Sequence, residues 1–120
     1  MASFNYVRLY AGPDGESHFE DVEVESTNTG RGTEVSSEQP ATSFNFGEFR
    51  ADYDLHQHTA PRRRMILMLR GAIEVEASDG EVRLLGPGAA LLAEDTTGKG
   101  HKSRTVGPDE RVSIYIQLPD

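Results

Sequence analysis

Apolar and polar residues alternate with a period of two along most of this chain, the mark of strands with one buried face, and no segment keeps a convincing helical spacing. Asn5 to Tyr10 predicts a first strand, closed by the turn-forming run Ala11-Gly12-Pro13-Asp14-Gly15. Ser17 to Ser26 alternates strictly: Phe19, Asp21, Glu23 and Glu25 share one face, His18, Glu20, Val22 and Val24 the other. If the valines face the core, His18 and Glu20 face it too. Thr27 to Pro40 has almost nothing apolar and predicts a long mobile loop. Ala41 to Phe49 resumes strand character with Phe44 and Phe46 on one face. Met65 to Leu69 is apolar on both faces, as in a strand held between two layers. Ala72 to Ala77 and Glu81 to Leu85 flank the hairpin signal Ser78-Asp79-Gly80. After the turn Gly86-Pro87-Gly88, Ala89 to Ala93 predicts a short buried strand and Glu94 to His101 a polar loop. Arg104 to Val106 and Arg111 to Leu118 complete the set, the latter with Val112, Ile114, Ile116 and Leu118 on one face. Short strands, frequent turns and no helix predict an all-β fold, a closed barrel or a double sheet.

At 120 residues the chain suits one domain, residues 1–120, with N-terminal strands over 1–26, a mobile loop over 27–40 and the core of the barrel over 41–118. The net charge of −8 sets a field that repels phosphate backbones, so no nucleic acid is expected as a partner. No stretch is long and apolar enough to span a bilayer, so no membrane is expected either. Cysteine is absent, which removes disulfide and thiolate chemistry, and the first residues lack a basic region followed by an apolar run. The expected setting is cytoplasmic.

Chemistry concentrates between Tyr53 and Arg64 and around His101. On a regular strand His56 and His58 project together, and His101 follows a second strand-like run that a folded sheet could bring opposite them. Three imidazoles from His56, His58 and His101 would suit Fe, Mn, Ni, Cu or Zn. Glu94 or Asp95 could orient the His101 ring. The consecutive Arg62, Arg63 and Arg64 form a cationic spot suited to a carboxylate or phosphate on a small ligand.

These residues resemble the cupin family, small β-barrels of jelly-roll type also described as double-stranded β-helices. His56-Gln57-His58 matches the H-x-H of the first cupin motif and Gly71 its closing glycine. Gly98-Lys99-Gly100-His101 matches the G-x-x-H of the second, and Leu84-Leu85-Gly86-Pro87-Gly88 the turn between them. The family's glutamate ligand is missing: its spacing from Gly71 falls on Arg64, and from His58 on Arg62 or Arg63. Thr96 and Thr105 stand in place of the second motif's proline and asparagine. The resemblance implies a small-molecule ligand and a homodimer. Two chemistries follow. One is a metal-dependent oxygenase, isomerase or lyase with Glu20 as replacement fourth ligand. The other is a metal-free isomerase or epimerase in which His58 or His101 is the general base and Tyr53 or Glu20 the partner acid. A non-catalytic binding protein is the third reading. In each, Arg62, Arg64, Glu20 and Met68 are the expected substrate contacts.

Overall fold

The computed structural model describes residues 4–120, in which twelve strands and no helix are found. Strands β1 (Phe4–Ala11), β2 (Ser17–Val24), β5 (Ser43–Phe49), β7 (Arg64–Arg70), β10 (Ala90–Glu94) and β12 (Arg111–Gln117) form a six-stranded sheet in the order β2-β1-β10-β7-β12-β5. Strands β6 (Asp54–His58), β8 (Ala72–Ala77), β9 (Val82–Leu85) and β11 (His101–Val106) form a second sheet in the order β6-β11-β8-β9. One core joins the two sheets: Leu9, Ile66, Met68, Leu91, Ala93 and Tyr115 from the first meet Ile73, Val75, Ala77 and Leu85 from the second. No helix is long and apolar enough to cross a membrane.

The predicted hairpin is present. Gly80 takes positive φ, Gly80 N–H bonds the Ala77 carbonyl, and Asp79 Oδ1 accepts from Glu81 N–H, fixing the β8–β9 turn. The expected loop over 27–40 instead contains a two-stranded hairpin, β3 (Ser26–Asn28) with β4 (Glu34–Ser36), in which Thr27 opposes Val35. Its turn is closed by Asn28 Oδ1 accepting from Gly30 N–H, with Gly30 and Gly32 at positive φ.

The larger correction concerns which face is inside. Leu9 and Phe19 are directly paired, and both belong to the core side, so the other face of β2, with Glu20, Val22 and Val24, turns outward. There Val22 and Val24 line a groove of about 440 Å³ with Tyr6, Met65, Leu92 and Pro40. On β12 the inward residues are Arg111, Ser113, Tyr115 and Gln117, all buried, and the apolar Val112, Ile114 and Ile116 lie outside. Phe44 and Phe46 are 66% and 63% exposed, and Leu69 is 48% exposed. The two-sided apolar strand β7 therefore has a core on one side; on the other, among the described residues, Met65 shares the groove with Ser37, Gln39 and Pro40, and Leu67 lies on an outer face with Phe44, Ile114 and Ile116.

Candidate functional site

His58 and His101 are directly opposed on β6 and β11, with ring centroids 4.5 Å apart. His101 is the first residue of β11 rather than part of a loop, and two glycines before it make the approach possible. Gly100 has φ +74°, and a Cβ there would collide with the His58 carbonyl. Gly98 has φ +76° and lies against the Gly15 backbone. The segment is fastened by Lys99 N–H to the Gly15 carbonyl (3.0 Å) and by Ser17 Oγ to the Gly100 carbonyl (2.7 Å).

His56 does not join the pair. The register runs His101 opposite His58, then Ser103 opposite Leu55, so His56 and Gln57 together face Lys102 in a β-bulge. The extra residue breaks the alternation on which the paired-histidine reading rested. His56 is exposed and lines a groove on the outer face of the second sheet with Asp54, Glu74, Glu76 and Lys102.

Asp95 is the residue that orients His101. It is 0% exposed, and its Oδ2 lies 2.5 Å from His101 Nδ1. Glu94, its neighbour, points to the opposite side and pairs with Arg8 (2.6 Å) and Arg63. A carboxylate on Nδ1 holds that nitrogen protonated and leaves Nε2 as the basic atom. The same tautomer is imposed on His58, whose Nδ1 donates to the His56 carbonyl at 2.9 Å. Burial, with the nearby His101 adding to it, pushes the His58 pKa below its ordinary value. Both imidazoles thus present a free Nε2 side by side, one backed by a carboxylate and the other kept neutral.

Of the three consecutive arginines only Arg64 enters the barrel. It opposes Gln117 and Ala93, lies over the Tyr115 ring at 4.3 Å and leaves its buried Nε without a partner. Arg62 is exposed, and Arg63 is held outside by Glu94 and the Pro119 carbonyl. Met68 is 2% exposed and forms the floor, with Ser113 Oγ donating to its Sδ at 3.4 Å. Glu20 lies on the outer face, paired with Arg8 at 3.2 Å, so it reaches neither the histidines nor the interior. Tyr53 packs edge-on against Phe49 (4.9 Å), and its carbonyl accepts from Thr105 N–H, at the far end of β11 from His101. Sequence reasoning missed Arg111, which is 2% exposed inside the barrel and stacked on Phe49 at 3.9 Å. The alternation of Arg111, Ser113, Tyr115 and Gln117 was the available signal, a polar stripe opposite an apolar one.

A three-histidine metal centre does not fit this geometry. Among the described residues no group of three or more His, Asp or Glu side chains is arranged to hold a metal ion, His56 and Glu20 face outward, and the barrel interior already carries the fixed positive charge of Arg64.

No family model matches the chain, and no curated protein matches it. Solved structures do. The cupin domain of Cnp3 from Schizosaccharomyces pombe aligns with a TM-score of 0.53 at 14% identity, covering 100% of this chain and 86% of that one. Protein NMB1881 from Neisseria meningitidis aligns with a TM-score of 0.51 at 18% identity, covering 80% and 82%. The SPY1581 protein of unknown function from Streptococcus pyogenes aligns with a TM-score of 0.51 at 15% identity, covering 72% and 71%. Two facing sheets joined by one core and these likenesses agree: the chain has the cupin fold.

Proposed function

We propose that this cupin-fold protein is a metal-independent acid–base catalyst of the isomerase or epimerase kind, acting on a small anionic substrate. The observation that carries the reading is the buried Asp95–His101 pair beside a neutral His58, with both Nε2 atoms free. In the reaction His58 Nε2 takes the proton from a carbon next to a carbonyl or carboxylate. Arg64 holds the negative charge that develops on the substrate oxygen, and His101, its positive charge offset by Asp95, delivers a proton back to carbon. Met68 and Ile66 supply the dry floor against which this occurs. The test is solvent-deuterium exchange into a panel of small sugar acids and hydroxy acids, followed by NMR. Exchange at one carbon that falls by roughly 10²-fold or more in Asp95→Asn is the expected result. A ligand that binds and never exchanges would reduce the protein to a binding module.

The proposed partner is a second copy of the chain. On the outer face Phe44, Phe46, Leu67, Ile114 and Ile116 are cross-strand neighbours, a contiguous apolar patch rather than apolar residues scattered singly. At its rim Glu48 and Arg70 lie 3.7 Å apart, one charge of each sign. A two-fold axis would set each against its opposite, without the repulsion that a net charge of −8 otherwise imposes on self-association.

A further inference from the structure

We infer that the interior takes a small dianion, with a carboxylate at each end and hydroxyl groups between, one carboxylate held by Arg64 and the other by Arg111. The inference rests on the small-anion reading above and adds a second, separate charge to it.

Two guanidinium groups stand inside one small barrel, and among the described residues neither has a carboxylate within ion-pair distance. The contrast with the rest of the chain is sharp. Arg8, Arg50, Arg63, Arg70, Arg83 and Arg104 all pair with Asp or Glu near the surface, and Arg31 and Arg62, which do not, are in water. A chain with 20 acidic residues has thus given neither interior arginine an ion pair; the buried Asp95, whose charge acts on Arg64, is itself engaged with His101. Arg111 is fixed by the Phe49 ring at 3.9 Å, by Tyr53 at 5.5 Å and by Thr105 Oγ1 at 3.4 Å from its Nε, all neutral groups. Arg64 lies over Tyr115 with its Nε unpaired. A buried charge lacking a counter-charge is among the most unfavourable features an interior can hold, so each needs an anion from outside the chain. Burial already disfavours the protonated form of both.

The arginines form two sites rather than one clamp. Arg64 is opposite Gln117, whereas Arg111 opens the same strand at its other end, and Tyr115 stands between them. Arg64 covers the Tyr115 ring, and Arg111 is stacked on Phe49, whose ring lies 6.0 Å from that of Tyr115. A chain of roughly four to six carbon atoms spans one tyrosine side chain and offers a charge to each side. Two buried acceptors, Gln117 Oε1 and Asp95 Oδ1, also lack donors among the described residues. They call for hydroxyl groups on the same ligand.

The decisive measurement is calorimetric titration of the full chain with glucarate and with gluconate, which share six carbons and four internal hydroxyls and differ at one end, a second carboxylate in glucarate and a hydroxymethyl group in gluconate. Glucarate is expected to bind at least tenfold more tightly, Arg111→Met to erase that gap while gluconate still binds, and Arg111→Lys to restore part of it. Equal affinity of the wild-type chain for the two overturns the dianion and leaves the small-anion site standing. No binding of either, or of inorganic phosphate, overturns both. Glucarate bound without any exchange of its protons overturns the catalytic reading alone. The wild-type ratio decides the question even if the Arg111 variants fail to fold.

Discussion

The two faces of the six-stranded sheet differ in a way opposite to the usual expectation. Its inner face carries Arg64, Arg111, Ser113, Tyr115 and Gln117 beside a modest apolar floor, and its outer face carries Phe44, Phe46, Leu67, Ile114 and Ile116. An interior built for stability alone would exchange the two sets, because an unpaired buried guanidinium stabilises nothing and an exposed phenylalanine buries nothing. On the reading proposed above, the polar inside is set aside for a ligand and the apolar outside for a second copy of the chain.

The strongest way to break that contrast is to remove its apolar inner floor. Met68→Ala, at a side chain 2% exposed, is expected to cost about 2–5 kcal/mol in urea unfolding; a cost near zero would mean that the floor is not packed. Next comes the outer face. Phe46→Asp with Ile114→Asp is expected to halve the mass seen in sedimentation, whereas an unchanged mass would show that the patch does not hold two copies together. Arg64→Met sharpens the inner side. Replacing an unpaired buried charge by an apolar side chain should leave ligand-free stability unchanged or raised by about 1–4 kcal/mol, while anion affinity drops at least tenfold. A variant that lost stability and kept affinity would make Arg64 structural.

The smallest effect separates two histidines by pH. His58 is pushed below the ordinary value of 6.5 by burial, and His18, between Asp14 (3.1 Å) and Asp79 (2.9 Å), is raised above it. As pH falls from 6.5 toward the lower His58 value, the unfolded chain binds a proton that the native chain refuses, so stability declines. The His18 contribution is fully present below 6.5 and is lost as pH rises through its raised native value. Ring-proton NMR should find the two midpoints on either side of 6.5, and midpoints in the reverse order would contradict both environments.

Much of the strand pattern was legible because alternation and turn residues are local. The Ser78–Gly80 hairpin, the polarity of β8 and the link between His58 and His101 all follow from it. Alternation fixes which residues share a face and not which face is inside. On β2 and β12 apolar residues chose the outside, carrying Glu20 outward and drawing Arg111 inward. His56 was lost to a different cause, since a bulge adds one residue to one strand with no signature in the residue types around it. Asp95 could be named as a candidate from its nearness to His101, but only the fold separates it from Glu94, one residue and one face away.

The bulge on β6 also bears on what could be built here. In a regular ladder the position opposite Ser103 would be occupied by His56; the added residue gives that inward place to Leu55. Restoring an imidazole there is a matter of one substitution, Leu55→His, with His56 left where it is. The distance between this site and a cluster of three nitrogen donors is a single codon, displaced by one position from where the histidine-rich sequence would direct an engineer to look.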